Sequence, residues 1–407
     1  MKKMNIIDLF AGCGGLLDGF LQSNHYNPIA SVEWVKAPVE TLRHRLKTKW
    51  GIKDADKTVI RFDMQRYEEL FNGYSNDEEY GSCEGLDKII DGRKIDGIIG
   101  GPPCQAYSVA GRVSVKDKTD YRNYLFEYYL KIVDRYKPKF FIFENVPGML
   151  SAMPDGTPIT DLIRRDINSK GYEIIDNIKD HAVIDISEYG VPQVRRRVIL
   201  LGLNREYFKK YDVQELLKDF YDNILPSLKK PKVSVEEAIG DLPPCYPVEP
   251  FKVGMRKSSH TIPELNITGH YARFQNERDI EIFKMLASDI ETGECKYTDS
   301  QVLSDLYNEK TGANTKVHKY HVLRRDLPST TILAHLYKDG LRFIHYDSEQ
   351  ARSITIREAA RLQSFDDDFE FIGSMGDAFK MIGNAVPPKF SKVLGEAVER
   401  FLKKYKI

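Results

Sequence analysis

A cysteine on a rigid turn is the first feature of this chain that could do covalent chemistry. Cys104 lies in GGPPCQAYS, Gly100 to Ser108, directly after Ile95 to Ile99, which reads as a buried strand ending in a glycine turn. The two prolines before it fix the backbone, so the thiol is presented at the mouth of a sheet rather than inside it. Cysteine is soft and partly ionised near neutral pH, which suits attack on an electron-poor ring carbon. A second apolar run, Phe140 to Phe143, delivers Glu144-Asn145-Val146-Pro147 to the same carboxyl edge. A third stretch, Val191 to Arg197, puts Gln193, Arg195 and Arg197 on one face of an extended segment. Two guanidiniums on one face can hold an anion or a base edge. Taken alone, the three arginines read better as a solvated basic face.

These residues need a sheet to bring them together, and the first 145 residues supply one. Met4 to Phe10 reads as a strand, Ala11-Gly12-Cys13-Gly14-Gly15 as a glycine turn, and Leu16 to Leu21 as a helix. Strand, glycine turn and helix form the opening of a nucleotide-type cofactor site. Leu17 stands where the third glycine of a dinucleotide fingerprint would fall, and no Lys-Ser/Thr pair follows to grip phosphate. A cofactor without phosphate, such as S-adenosylmethionine, fits that loop. Ile29 to Val32 is a second strand, and Glu33-Trp34 after it could hold ribose hydroxyls and cover an adenine face. A third strand ends near Phe62 and leaves Asp63 at the same edge. Residues 72–94 read as a surface loop with one short helix, and residues 110–123 as a candidate lid. Leu125 to Tyr136 and Thr160 to Lys170 read as helices, Tyr172 to His181 and Val198 to Leu203 as strands closing the sheet. Beyond Asn204 the periodicity becomes irregular. Asn276 to Ala287 and Thr355 to Leu362 are helical, and Val393, Leu394, Ala397, Val398 and Phe401 stripe a final amphipathic helix.

Composition bounds the rest. The chain has 407 residues, 42% hydrophobic and 29% charged, with a formal net charge of zero, so any nucleic-acid surface must be a local basic patch. Five scattered cysteines without C-x-x-C spacing argue for a reducing compartment and against a metal site or disulfide frame. No apolar run reaches membrane-spanning length, and a cytoplasmic monomer is expected.

Together the motifs resemble the DNA (cytosine-5) methyltransferases of bacterial restriction-modification type. The matching stretches are DLFAGCGGL from Asp8, Glu33-Trp34, Asp63, GGPPCQAYS, FENVPGML from Phe143, Gln193/Arg195/Arg197, REAARLQSF from Arg357 and GNAVPP from Gly383. Tyr107, Tyr346 and Asp366 depart from the commoner residues. The resemblance implies an α/β fold: a Rossmann-like S-adenosylmethionine-dependent methyltransferase sheet with helices on both faces, plus a smaller loop-rich target-recognition domain. It places the catalytic domain at 1–204 and 379–407 and the recognition domain at 205–378, variable over about 205–320. It implies Cys104 as nucleophile toward carbon 6 of a flipped cytosine, with Glu144 at ring nitrogen 3. Arg195 and Arg197 would hold the base oxygen and adjoining phosphate, Arg195 nearer the base. The cofactor would lie across Phe10, Gly12, Gly14, Leu16, Glu33, Trp34, Asp63, Met64, Pro102, Leu125, Asn384 and Val386. Double-stranded DNA would meet Gln105, Ser108, Gln193, Arg273, Asn276, Arg278 and Arg324. A cognate restriction endonuclease is the further partner it suggests, and no metal is expected. The rival readings are a transfer-RNA cytosine-5 methyltransferase of the same fold and a catalytically silent DNA-binding regulator. The long recognition region argues against the first, and intact Cys104 and Glu144 against the second.

Overall fold

Strands that are apolar along their length must be covered on both faces, and the early strands here have that pattern. The computed structural model describes residues 3–103, 124–153, 156–248, 259–317, 319–338 and 340–407. In chain order its strands are β1 (Met4–Leu9), β2 (Tyr26–Glu33), β3 (Val59–Arg61), the hairpin β4 (Tyr74–Asp77) and β5 (Gly81–Cys83), β6 (Gly97–Gly100), β7 (Phe140–Asn145), β8 (Tyr172–Glu173), β9 (Val183–Asp185) and β10 (Arg196–Asn204). The main sheet runs β3-β2-β1-β6-β7-β10-β8, with β9 on β10. Pairing is parallel from β3 through β7, and β10 joins antiparallel. This is the expected α/β sheet. Its register aligns the strand ends: Leu9 pairs with both Val32 and Gly100, Val32 with Ile60, and Gly100 with Phe143. Residues following those positions therefore leave the sheet at one edge.

The chain divides into two compact units, one of residues 1–190, 195–231 and 385–407, the other of 191–194 and 232–384. In the first, the C-terminal helix Pro388–Lys404 returns to lie against the helix Gly15–Gln22. Gly19 permits that contact, because a Cβ there would sit 2.4 Å from the Pro388 carbonyl. Tyr26 donates its hydroxyl to the Gly395 carbonyl at 2.8 Å. Residues 205–231 also belong to this unit, not to the recognition region where the sequence puts them. Their aromatic residues explain it: Phe208 and Phe220 lie 6.0 and 5.8 Å from the Phe401 ring. Conversely, 379–384 finish the helix Met375–Asn384 of the second unit.

The second unit is built on Ile282, Phe283, Leu286, Leu303, Leu306, Tyr320, Val322 and Ile344. A helix absent from the sequence reading, Ser300–Thr311, supplies part of this core. The REAARLQSF stretch is internal scaffolding: Arg352 pairs with buried Glu358 at 2.7 Å, and Arg357 donates to the carbonyls of Thr268, Asp366 and Phe369. The strand expected over 172–181 shrinks to β8. Asn177 then caps a helical turn, Ile178–His181, by accepting from Asp180 N. No helix among the described residues is long and apolar enough to cross a membrane.

Candidate active site

Two clusters form at the common strand edge of the first unit. The first is the glycine loop after β1. Phe10, Gly12 and Gly14 all have positive φ (55, 55 and 88°), which turns the chain sharply into the helix Gly15–Gln22. Gly14 packs so tightly that a Cβ would meet Leu42 Cδ1 at 2.4 Å, whereas nothing lies within 4 Å of a Cβ on Gly12. The chain thus leaves open space over Gly12. Glu33, at the end of β2, accepts from Gly12 N (2.9 Å) through Oε2, and from Trp34 N (2.9 Å) and Val35 N (2.8 Å) through Oε1. A carboxylate has about four acceptor positions. Glu33 is therefore mainly a clamp on its own loop, with little capacity left for a ligand hydroxyl. Burial raises its pKa against the opposing pull of those three amides. Trp34 is 46% exposed beside it, an apolar face open to a planar ligand. Asp63 caps the turn at Met64–Arg66 by accepting from Gln65 N, while Met64 and Leu16 are buried.

Beneath this loop the sequence reading missed Asp8. Its carboxyl is buried with both oxygens lacking a hydrogen-bond partner among the described residues. Burial, and then the Glu33 charge, push its pKa well up. The only advance signal was an acidic residue inside an otherwise apolar strand.

The second cluster surrounds Glu144 at the end of β7. Gly101 lies under its carboxylate: a Cβ there would be 2.6 Å from Glu144 Oε2. Arg197 Nε donates to Glu144 Oε1 at 2.8 Å, both side chains being 13% exposed. The antiparallel register sets Ile199 opposite Glu144, and Arg197 lies two residues along on the same strand. Buried Asn145 donates to the Pro102 carbonyl at 3.2 Å and accepts from Val146 N, tying the Pro-Pro turn to β7. Cys104, Gln105 and Ser108 lie outside the described residues, as does the candidate lid 110–123.

Arg195 lies deeper than Arg197. It is 2% exposed and donates to the Ala385 carbonyl at 3.1 Å, so Arg197 is the guanidinium on Glu144. Burial pulls the pKa of both arginines down, and the neighbouring Arg197 charge adds to the effect on Arg195. Two guanidiniums near one carboxylate leave the cluster net positive, which suits an incoming anion or carbonyl oxygen. Val386 is buried in this unit, and Leu125 begins the helix Leu125–Tyr136. Asn384 closes the helix Met375–Asn384 of the other unit, exposed.

The DNA-facing residues expected in the second unit are mostly committed elsewhere. Gln193 is 0% exposed; its amide donates to the Leu362 carbonyl and to the Gln363 side chain and accepts from Ile332 N. It cannot face DNA in this structure and acts as an internal rivet. Arg273 donates to the Leu336 carbonyl and lies over the Phe379 ring. Asn276 caps the helix Glu277–Glu291, and Arg278 pairs with Asp279 at 2.9 Å. Arg324 is exposed.

A parallel α/β sheet with a glycine-loop cradle and a carboxylate–guanidinium pair above a Pro-Pro turn defines a Rossmann-like methyltransferase. Residues 4–400 match the C-5 cytosine-specific DNA methylase family, and the chain belongs to that family. It is thus a DNA cytosine-5 methyltransferase. Among its relatives, the type II methyltransferase M.Bpa9945I of Bacillus paralicheniformis is 33% identical over 97% of this chain and 98% of its own length. M.DdeI of Desulfomicrobium norvegicum, also a type II methyltransferase, is 29% identical over 97% of this chain and 88% of its own. The fold is shared with the crystal structure of an E. coli prophage-encoded protein assigned as a DNA modification methyltransferase. That structure has a TM-score of 0.64 and 22% identity, covering 98% of this chain and all of the other.

Proposed function

We propose that this enzyme takes a methyl group from S-adenosylmethionine and places it on carbon 5 of a cytosine flipped out of a specific duplex sequence. In the cytoplasm, as a monomer, it would protect host DNA in a type II restriction-modification system alongside an endonuclease acting on the same site. The observation that carries this reading is the Arg197–Glu144 pair lying over Gly101, three residues before Cys104. S-adenosylmethionine supplies an electrophilic sulfonium methyl group. The open space over Gly12 and the exposed Trp34 face fit an adenosine, and Met64, Asp63 and Leu16 are candidate contacts for it. Leu125 and Val386 are the further candidate contacts.

Cys104 thiolate adds to carbon 6 of the cytosine, and the ring electrons move toward carbon 5. Glu144 sits at ring nitrogen 3 and the exocyclic amine, where it donates a proton or hydrogen bond as charge develops. Arg197 orients Glu144 and faces the base oxygen. Arg195, braced on the Ala385 carbonyl, adds fixed positive charge behind it. Carbon 5 would then take the methyl group, its bond to the sulfonium sulfur breaking to leave S-adenosylhomocysteine, after which a base would remove the carbon 5 proton and Cys104 would be eliminated. The second unit reads the target sequence.

A duplex carrying 5-fluorocytosine at the target tests the reading, because fluorine cannot leave as a cation. A denaturation-resistant protein–DNA adduct should form, dependent on S-adenosylmethionine and on Cys104. An adduct at another cysteine, or unhindered methylation of the fluorinated base, would overturn the mechanism. Preferential reaction with transfer RNA would overturn the substrate.

A further inference from the structure

We infer that bases are read by the segment Lys316 to Arg342 of the second unit, with Lys319 and Arg342 as its specificity-determining cations. This rests on the proposal that the second unit reads duplex DNA. Charge is divided sharply within that unit. Residues 277–311, which include the helices Glu277–Glu291 and Ser300–Thr311, hold nine acidic and four basic residues. Residues 312–346 hold six basic and two acidic. A polyanion is repelled by the first stretch and drawn to the second. The chain as a whole is neutral, so this local excess is the kind of patch DNA contact requires.

The basic segment is also shaped and held. A concavity of about 480 Å³ is lined by Lys316, Val317, Lys319, Thr330, Leu333 and Arg342, with no acidic side chain among its described lining residues. The backbone beneath it is fixed. Asn308 donates to the Thr315 carbonyl (2.9 Å) and accepts from Thr315 N (3.0 Å), and His321 N donates to the Leu341 carbonyl (2.9 Å). Along 319–322 the chain alternates as an extended segment does. Tyr320 and Val322 are buried in the core with Phe283 and Ile344, while Lys319 and His321 face outward.

Exposed apolar side chains, Val317 at 60% and Leu333 at 42%, flank these cations. An ammonium or guanidinium donates to guanine O6 and N7, and an apolar neighbour meets a thymine methyl. The chemistry fits a target sequence that contains guanine. Lys319 Nζ lies 5.7 Å from the centroid of the Tyr307 ring, and the cations near the start of the helix Glu277–Glu291 are held by Asp279, Leu336 and Phe379.

The test is the sequence preference of Arg342→Ala, Arg342→Lys and Lys319→Ala. Each is mapped as 5-methylcytosine in a host lacking the modification and as kcat/KM on target duplexes with single base changes. The side chains are exposed, so melting curves should match the wild type. We expect kcat/KM on the intended target to fall roughly 5- to 150-fold, with the penalty for a wrong base at one position lost. At saturating DNA, kcat should hold.

Equal weakening on every sequence, with the salt slope reduced by about one, would mark a phosphate contact and overturn the assignment. Unchanged preference in all three variants would do the same, as would lost discrimination in Arg278→Ala alone. The underlying reading fails separately, by a wild-type enzyme that modifies no duplex DNA.

Discussion

Gly101→Ala is the most discriminating single substitution this structure offers. The added methyl would lie 2.6 Å from Glu144 Oε2. An ordinary carbon–oxygen contact is about 3.4 Å, so the carboxylate must retreat by about 0.8 Å. Arg197 holds the other oxygen, Oε1, at 2.8 Å, so a carboxylate that swings away from the methyl group disturbs that bond. Gly101 is not among the residues with positive φ, so alanine fits its backbone and the effect comes through contact, not strain. The yielding group is the tip of a flexible side chain. Stability should therefore change by no more than about 1 kcal/mol, a few degrees in Tm. Misplacing a group at the reacting centre by about 1 Å costs on the order of a hundredfold in rate. Single-turnover methyl transfer to a target duplex should slow by about 10- to 100-fold, with DNA and cofactor affinity unchanged. A single-turnover rate within about threefold of wild type would show that the Glu144–Arg197 geometry does not govern the reaction.

Cys104→Ser should abolish methylation and retain specific DNA binding in a gel-shift assay, since recognition is assigned to the other unit; residual turnover near wild type would refute the nucleophile. Gln193→Leu removes the buried side-chain amide that joins the Ile332 N–H to the Leu362 carbonyl. It should lower stability by about 3 kcal/mol in urea, and an unchanged midpoint would show that the buried amide is dispensable. Acid should destabilise the second unit through His345 and His260, whose pKa values burial, and then Arg352, lower to about 3 and about 4. Glu358, Asp347 and His270 also face His345. Unfolded histidine binds its proton near 6.5, so stability is full above that pH and falls below it, by about 2 kcal/mol per histidine at pH 5. His345→Gln should roughly halve the fall in urea midpoint between pH 7 and 5, leaving the His260 share, and an equal slope would rule out that histidine.

The glycine loop, the Pro-Pro turn, Glu144 and the strands that carry them were legible because each depends on residues a few positions apart. Positive φ selects glycine, proline fixes φ, and apolar runs mark strands whatever the rest of the chain does. The roles of Arg195, Arg197 and Gln193 were not legible, although all three belong to one short motif. Alternation puts them on one face, but only the pairing of β10 with β7 decides which guanidinium meets Glu144. Gln193 looked like a DNA contact because its partners, Ile332 and Leu362, are more than 130 residues away in the chain. The helix Ser300–Thr311 escaped for a related reason: it has few apolar residues, and its Leu303 and Leu306 become core only against Tyr320 and Ile344. Local geometry is written in local sequence. Which polar side chain is buried and which faces a substrate is set by long-range packing, and only the folded chain decides it.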